Sequence, residues 1–222
     1  MKNNKKKKFK KRYWLFIDLA ISVVIIFLLL YKPGRYVPHG PFAGKQVSQY
    51  LTNELLPQLY NGVQRGEPFD LTISQDGIND AIASSKWPKE SEGAKILTPQ
   101  VFFVPDGAVI MGSVAMKGLG FIVTVELRPA FDANGLLNLN VEQVKIGAMN
   151  ITPVARIVAR KMYAQQLDKT DVDTENILAK IAASLLNGEP FEPVFKVEKK
   201  KVRIEKINIM QGKLTARLIP LS

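Results

Sequence analysis

The residue types that most often carry out enzyme chemistry are scarce in this chain of 222 residues. It contains one histidine, His39, and no cysteine. Nucleophilic catalysis with a histidine base, and most zinc sites, depend on these two residue types. Because His39 lies among prolines and glycines, in a segment with the composition of a linker, we expect no catalytic residues, no metal site and no cofactor.

Two short motifs resemble binding loops but lack the residues that such loops require. The stretch GPFAGK, residues 40–45, is one residue shorter than a phosphate-binding loop, and Gln46 follows where Ser or Thr is needed. The stretch DVDTEN, residues 171–176, alternates acidic residues as a calcium loop does, but Asn176 replaces the glycine and Ala182 the distant glutamate. Helix capping explains these acidic residues more simply.

Two charged groups could also do chemistry. Asp76 and Asp80 are four residues apart on a short predicted helix, but no neighbour would make one an acid and the other a base, so we interpret them as a solvated face. The stretch EKKKVR, residues 198–203, is interpreted as lysine protection of an exposed strand edge, with contact to anionic lipid as the alternative. We therefore predict that the protein is not an enzyme.

The strongest pattern in the chain is an apolar one. Phe121, Val123 and Val125 alternate with polar residues on one predicted strand, and Leu137 and Leu139 do so on the next. The turn residues 132–135, DANG, join the two strands as a hairpin. One face of this hairpin is expected to be dry, and it could meet either ordinary core or an apolar ligand.

A predicted helix supplies a second apolar face. Thr152 and Pro153 are typical of a helix start, and apolar side chains follow at helical spacing. We expect an apolar ligand to lie between the strand face and this helix face, and packing in a dry core is the alternative for each residue. The predicted ligand-binding residues are Phe121, Val123, Val125, Leu137, Leu139, Val154, Ile157, Val158 and Met162.

The start of the chain has the pattern of a membrane anchor. Eight of the first twelve residues are basic, and residues 13–31 are apolar except for Asp18 and Ser22. Nineteen residues span about 29 Å as a helix, close to a hydrocarbon core of about 30 Å. No small-residue cleavage site follows, which favours a signal anchor over a cleaved signal peptide. We expect residues 1–12 in the cytoplasm, residues 13–31 in the cell membrane and the residues after Tyr31 outside the cell membrane.

The charge distribution excludes one class of partner. The chain has 31 basic and 20 acidic residues, but only 23 basic residues remain when the eight near the N-terminus are set aside. The net charge of +11 is therefore mainly a juxtamembrane block that contacts membrane lipid, and we expect no nucleic-acid partner. The absence of cysteine also excludes a lipid-modified cysteine as anchor.

Asp18 lies about five residues inside the predicted span. A charged carboxylate facing lipid would be costly. It is expected to reach toward the basic block at the cytoplasmic end, and a polar contact with the helix of a membrane protein partner is the alternative.

The residues after the span are predicted to form one α+β domain. Residues 32–44 are interpreted as a linker that lifts the domain off the membrane, and residues 45–222 as the domain itself. A strand is expected at 69–73, a helix capped by Ser74 at 75–84, and a four-stranded antiparallel meander from 101 to 146. A bulge near Glu142 would restore the apolar alternation and curve the sheet. Two helices follow, the second opening at Asp173 or Thr174, and then a final hairpin of strands 202–210 and 213–219.

The order of these elements is similar to that of a known group of proteins. The stretches LTISQDGIND, LRPAFDANGLLNLNVEQVKIG, MNITPVARIVARKM and KVRIEKINIMQGKLTARLIPL resemble small membrane-anchored bacterial envelope proteins of the YpmS and YceB types. The resemblance runs from Phe69 to the end of the chain. It implies a tubular lipid-binding (TULIP)-like fold, in which a curved antiparallel sheet wraps helices and leaves an apolar groove, without catalytic residues. The chain differs from the lipid-anchored members because it has an apolar span and no cysteine.

The sequence therefore predicts an extracytoplasmic module, anchored by one N-terminal transmembrane helix, that binds a lipid or another apolar ligand. The alternative is a structural or assembly protein of a membrane or cell-envelope complex. An inner groove would distinguish the first function, and an outer contact patch with a stoichiometric protein partner would distinguish the second.

Overall fold

The computed structural model describes residues 4–37, 47–91, 93–116, 118–167 and 177–221. Within these residues the chain forms five α-helices and two antiparallel sheets, which confirms the predicted α+β class. The helices are α1 (Asn4–Leu29), α2 (Leu56–Arg65), α3 (Gln75–Ala83), α4 (Thr152–Leu167) and α5 (Ile177–Asn187). A π-helical segment, Leu51–Leu55, leads into α2, and Pro57 lies in the first turn of α2, where a missing N–H is tolerated.

The strands follow the predicted order, with additions. They are β1 (Phe69–Ser74), β2 (Lys89–Ser91), β3 (Ala94–Ile96), β4 (Gln100–Val104), β5 (Gly107–Met116), β6 (Leu119–Phe131), β7 (Leu137–Ile146), β8 (Met149–Asn150), β9 (Val194–Val197), β10 (Lys200–Met210) and β11 (Lys213–Leu221). The hairpin of β2 and β3 occupies a stretch predicted as a polar loop. Both strands are short and have no apolar alternation. They are held in place by backbone pairing, of β2 with β3 and of β3 with β5, rather than by burial.

The smaller sheet has the order β1-β11-β10-β9 and holds the main core. Val202 and Leu218 are almost completely buried in the centre of this sheet, and Val63 of α2 packs with them. Helix α2 and strand β1 approach each other closely at Gly62. The ring of Phe69 occupies the space that a Cβ on this residue would need. Gly62 is therefore required by packing rather than by backbone conformation.

The larger sheet has the order β2-β3-β5-β6-β7-β8, and β4 pairs with β5 beside this path. Its longest strands are β6 and β7, which form the predicted hairpin. Glu126 pairs with Gln143 and Leu127 pairs with Val141, so Glu142 is left without a partner in the ladder. This register shift confirms the predicted bulge.

Backbone hydrogen bonds at β4 join the two sheets. The amide of Gly212, in the β10–β11 turn, donates to the carbonyl oxygen of Phe103 at 3.1 Å. The side chain of Asn79 on α3 makes two hydrogen bonds to the backbone of Val101, at 2.7 and 2.8 Å. Because these bonds reach β4 from both β10 and α3, the two sheets form one connected structure.

The C-terminal end of α1 lies at the turn between β7 and β8. The amide of Ala148 donates to the carbonyl oxygen of Leu28 at 2.8 Å. Gly147 is required here, since its backbone has φ of 59° and a Cβ would lie 2.3 Å from that same oxygen. Over the residues that the structure describes, no helix combines the length and the apolar character needed to cross a membrane, and the predicted span stays a prediction.

The segment after α1 does not behave as the predicted linker. Tyr36 is only 8% exposed and packs against Met111 and Ile122 of the larger sheet. The amide of Val37 also donates to Oε1 of Gln100 at 3.3 Å. Part of the predicted linker therefore packs on the sheet, and the domain boundary at residue 45 stays a prediction. Residues 38–44 of the predicted linker, with His39, lie outside the described residues.

The helix predictions hold at most of the ends that can be checked. Ser74 caps α3 by accepting a hydrogen bond from the amide of Gly77 at 3.1 Å. The helix predicted from Thr152 begins at that residue, and the last helix ends at Asn187, with Gly188 in a left-handed conformation. The predicted start of α5 at Asp173 or Thr174 lies outside the described residues.

Candidate functional site

The larger sheet carries a continuous apolar surface across three strands. Residues that pair directly across antiparallel strands point to the same side of a sheet. Val123 of β6 pairs with Ile146 of β7, and Val125 pairs with both Ile110 of β5 and Val144 of β7. Because the bulge restores the alternation, the same side continues past Glu142. We name this surface the apolar sheet face, and its members are Ile110, Val114, Phe121, Val123, Val125, Leu127, Val141, Val144 and Ile146.

The apolar sheet face is half-buried along its whole length. Each of its nine side chains is neither fully buried nor fully exposed. Among the described residues, the clusters of fully buried apolar side chains lie elsewhere, in the smaller sheet and around Tyr36. The nine residues of the apolar sheet face are therefore partly covered, and they do not belong to the clusters of fully buried side chains.

The opposite side of the same strands is closed. Ile122 is 5% exposed, and Tyr36 packs against it from the segment after α1. The hydroxyl of Tyr36 donates to the carbonyl oxygen of Thr98 and accepts from the amide of Ser113, each at 3.0 Å. Burial raises the pKa of Tyr36 above its usual value of 10.0, and the hydrogen bond from Ser113 partly opposes this effect. This side of the larger sheet is therefore packed around Ile122, whereas farther along it Glu126 and Lys145 form an ion pair at 2.9 Å with side chains about one third exposed.

Helices α4 and α5 are attached to the free edge of β7 by polar side chains. The Ser184 hydroxyl, which is fully buried, accepts from the amide of Leu139 at 2.9 Å. The Thr152 hydroxyl accepts from the amide of Val144 at 2.9 Å, and the guanidinium of Arg156 donates to the carbonyl oxygen of Val141 at 3.1 Å. These bonds satisfy backbone groups that a free strand edge would leave unpaired.

The predicted inward orientation of the apolar face of α4 is wrong. Val154, Ile157 and Val158 are 60%, 69% and 49% exposed. The side chains of Thr152 and Arg156, which bind β7, lie on the opposite side of the helix at 100° per residue. Small residues on the β7 side allow this arrangement, and the three larger apolar residues are left in solvent.

Helix α5 supplies the apolar residues next to β7 instead. Ile177 and Ile181 lie seven and three residues before Ser184, and are therefore on the side of α5 that meets β7. Both are half-buried, as is Leu185. The sequence predicted a helix here but did not include it among the ligand-binding residues.

The structure brings together about half of the predicted ligand-binding residues. Phe121, Val123 and Val125 are on the apolar sheet face, and Leu139 is half-buried on the same side of β7. Leu137 is only 3% exposed, because its backbone pairs with Phe191 and closes that end. Val154, Ile157 and Val158 are separated from this group, and the side chain of Met162 lies outside the described residues. The alternating pattern of β5 was the signal that could have added Ile110 and Val114.

The remaining candidates have structural roles where they are described. Asp80 accepts a hydrogen bond from the Ser48 hydroxyl at 2.5 Å, so it is not the fully solvated residue that was predicted. Lys200 donates to the carbonyl oxygens of Val63 and Gln64 at the end of α2, and β10 is an inner strand rather than an edge. The stretches 40–45 and 171–176 lie outside the described residues. Within the described part, no three potential metal ligands come together.

The apolar sheet face is a half-buried surface that extends about 20 Å from Phe121 to Leu127 along β6, at about 3.4 Å per residue. Polar groups border this surface at the β7 edge, where they are already bound to backbone. Such a surface can bind apolar chains by excluding water. No protein-family model matches the chain, and no curated protein matches it at a significant level.

Proposed function

We propose that this protein is a membrane-anchored extracytoplasmic module that binds the acyl chain of a lipid, or a similar apolar ligand, on the apolar sheet face. The observation that carries the proposal is the contrast between the two sides of one strand. Ile122 is closed off by Tyr36, while its neighbours Phe121 and Val123 remain half-exposed on a surface of nine apolar residues.

The dimensions of the surface suit a single acyl chain. One leaflet of a hydrocarbon core is about 15 Å thick, since the whole core is about 30 Å. The apolar sheet face extends about 20 Å along β6. Each methylene group removed from water contributes about 0.8 kcal/mol, so even partial coverage of an acyl chain favours binding.

Membrane anchoring by α1 is supported by composition and exposure together. The helix carries large apolar side chains, among them Phe16, Val24 and Phe27, that are 40% or more exposed. A soluble helix of this kind would be unstable in water, whereas lipid would cover these side chains. The basic residues before Tyr13 orient the helix with its N-terminus in the cytoplasm. The resemblance to envelope proteins of the YpmS and YceB types supports the same arrangement.

A direct test is mass spectrometry of lipids that co-purify with the full-length chain in a mild detergent, compared with a variant. Val123→Glu places a carboxylate on the apolar sheet face, where water can reach it. We expect this variant to fold but to lose the bound lipid. Co-purification of lipid at the wild-type level would contradict the proposal, because an acyl chain bound on this face would take the carboxylate out of water at a high cost in free energy.

The neighbouring residue is a matched control for this substitution. Ile122→Glu places the same carboxylate on the opposite side of the same strand, against Tyr36 and Met111. We expect it to unfold the protein, because burial of an unpaired charge costs several kcal/mol out of a typical stability of about 5–15 kcal/mol. If Val123→Glu unfolds the protein as Ile122→Glu does, the apolar sheet face is packed core rather than a binding surface.

Asp18 favours one second candidate, an assembly protein of a membrane complex. Its side chain is exposed on α1 among apolar residues, where a polar partner helix would relieve the cost of the charge. Asp18→Leu would then remove a protein partner that crosslinks stoichiometrically to the wild-type chain. Unchanged crosslinking would remove the support that Asp18 gives to this candidate.

A further inference from the structure

Helix α4 carries an apolar stripe that none of the described residues covers. The stripe consists of Val154, Ile157 and Val158, and each is about half-exposed or more. These residues lie on the side of α4 that faces away from β7. Three large apolar side chains within five residues are more than a soluble surface scatters by chance, and such patches mark contact sites.

The position of α4 in the chain brings it close to the outer end of α1. The amide of Ala148 is bound to the carbonyl oxygen of Leu28 in the last turn of α1. The two-residue strand β8 follows, and α4 begins at Thr152, four residues after Ala148. A lipid bilayer that surrounds α1 would therefore end near the start of α4.

The charges around the stripe complement a lipid surface. Arg160 and Lys161 are exposed on α4, and the described part of this helix contains no acidic residue. A helix with a short apolar stripe, basic flanks and no acidic side chains binds at the boundary between headgroups and acyl chains, with anionic headgroups adding electrostatic attraction.

We propose that the stripe on α4 docks onto the surface of the bilayer in which α1 is embedded, with anionic lipid headgroups contacting Arg160 and Lys161. This inference rests on the membrane anchor in the proposed function and not on the apolar ligand. Docking places α4 between the membrane and the β7 edge, and so holds one border of the apolar sheet face near the membrane. It also explains why a short connection, rather than a long spacer, joins α1 to Tyr36.

The test uses the full-length chain in vesicles of neutral and anionic phospholipid. Because the chain contains no cysteine, single-cysteine variants can carry an environment-sensitive fluorophore at one position each. Ile157→Cys reports on the stripe and Val24→Cys on α1. Met210→Cys is a matched control, because Met210 is also an exposed apolar residue. The carbonyl oxygen of its neighbour Ile209 accepts a hydrogen bond from the β4–β5 turn, so Met210 lies at the opposite side of the larger sheet from α4.

We expect a quencher attached to lipid acyl chains to reduce the fluorescence at positions 24 and 157 at least twofold more than at position 210. If position 24 is quenched and position 157 is not, the docking inference is wrong and the membrane anchor stands. If neither position is quenched, the membrane anchor of the proposed function fails. If the fluorophore at position 157 is shielded from water but insensitive to the lipid quencher, a protein such as a second copy covers the stripe, which also overturns the inference.

Discussion

The amide of Ser113 donates a hydrogen bond to the phenolic oxygen of Tyr36 at 3.0 Å, although the two residues are 77 positions apart. The same hydroxyl donates to the carbonyl oxygen of Thr98, also at 3.0 Å. Tyr36 thus ties the segment after α1 to β5 and to the residues before β4. Any movement of α1 relative to the sheet must break or strain these two bonds.

The first prediction concerns the two hydrogen bonds of Tyr36. Tyr36→Phe keeps the ring against Ile122 but removes the hydroxyl, so a buried donor and a buried acceptor lose their partner. We expect a loss of about 1–3 kcal/mol in the free energy of unfolding, measured by denaturant titration in detergent. Tyr60→Phe is the control, because Tyr60 is exposed and its substitution should change stability by less than about 0.5 kcal/mol. Equal effects of the two substitutions would refute the assigned role of Tyr36.

The second prediction follows from the raised pKa of Tyr36. In the unfolded chain this hydroxyl ionises near pH 10, and in the folded protein it ionises at higher pH because burial raises its pKa. The folded state therefore retains a proton that the unfolded state loses. Stability from this group is complete below about pH 10 and is lost as the pH rises through the folded pKa.

The measurement is the unfolding free energy of the wild type and of Tyr36→Phe, each at pH 9 and again above about pH 10. Other tyrosines and the lysines titrate in both proteins, so the difference between the two proteins isolates Tyr36. We expect the wild type to lose more stability than the variant over this interval. Equal losses of unfolding free energy in the two proteins would mean that burial does not raise the pKa of Tyr36.

The third prediction tests the contact between α1 and the β7–β8 turn. Gly147→Ala adds a Cβ 2.3 Å from the carbonyl oxygen of Leu28, in addition to the cost of about 1–2 kcal/mol for a left-handed backbone. We expect α1 to detach from the turn, and the amide of Ala148 to lose its protection against hydrogen exchange.

Gly135→Ala separates strain from contact in this experiment. Gly135 has φ of 76°, but a Cβ there would meet no atom within 4 Å. Gly135→Ala should lose only the stability that a left-handed backbone costs an alanine, and hydrogen exchange at the amide of Ala148 should be unchanged. If Gly147→Ala destabilises the protein no more than Gly135→Ala does, the turn does not hold the end of α1.

The fourth prediction concerns the attachment of α5 to β7. Ser184→Ala leaves the amide of Leu139 without its partner in a buried position. We expect a loss of about 1–3 kcal/mol in stability, and faster hydrogen exchange at Leu139. Ser84→Ala is the control. In the wild type the Ser84 hydroxyl donates to the carbonyl oxygen of Asp80, and in the variant this oxygen still accepts from the backbone amide of residue 84, so no group is left unpaired. A comparable loss in both variants would show that the Ser184 bond has no special role.

The local elements were predictable because they depend on short stretches of chain. Alternation with period two identified β6 and β7, and the break in that alternation identified the bulge at Glu142. Ser74 and Gly188 marked the start of α3 and the end of α5, since capping depends on the side chain and backbone angles of one residue. By contrast, the paired β2 and β3 could not be predicted, because their residues carry no strand pattern of their own.

The sequence by itself determined the α+β class, the bulged hairpin and the apolar residues from which the candidate site is built. Only the tertiary structure decided which of these residues face one another. Ile122 became core and Val123 stayed half-exposed because Tyr36, 86 positions before Ile122, packs on one side of β6. The apolar stripe of α4 turned outward because Thr152 and Arg156 bind the β7 edge. Spacing shows which side chains share a face, but the surface that covers a face comes from residues distant in the chain.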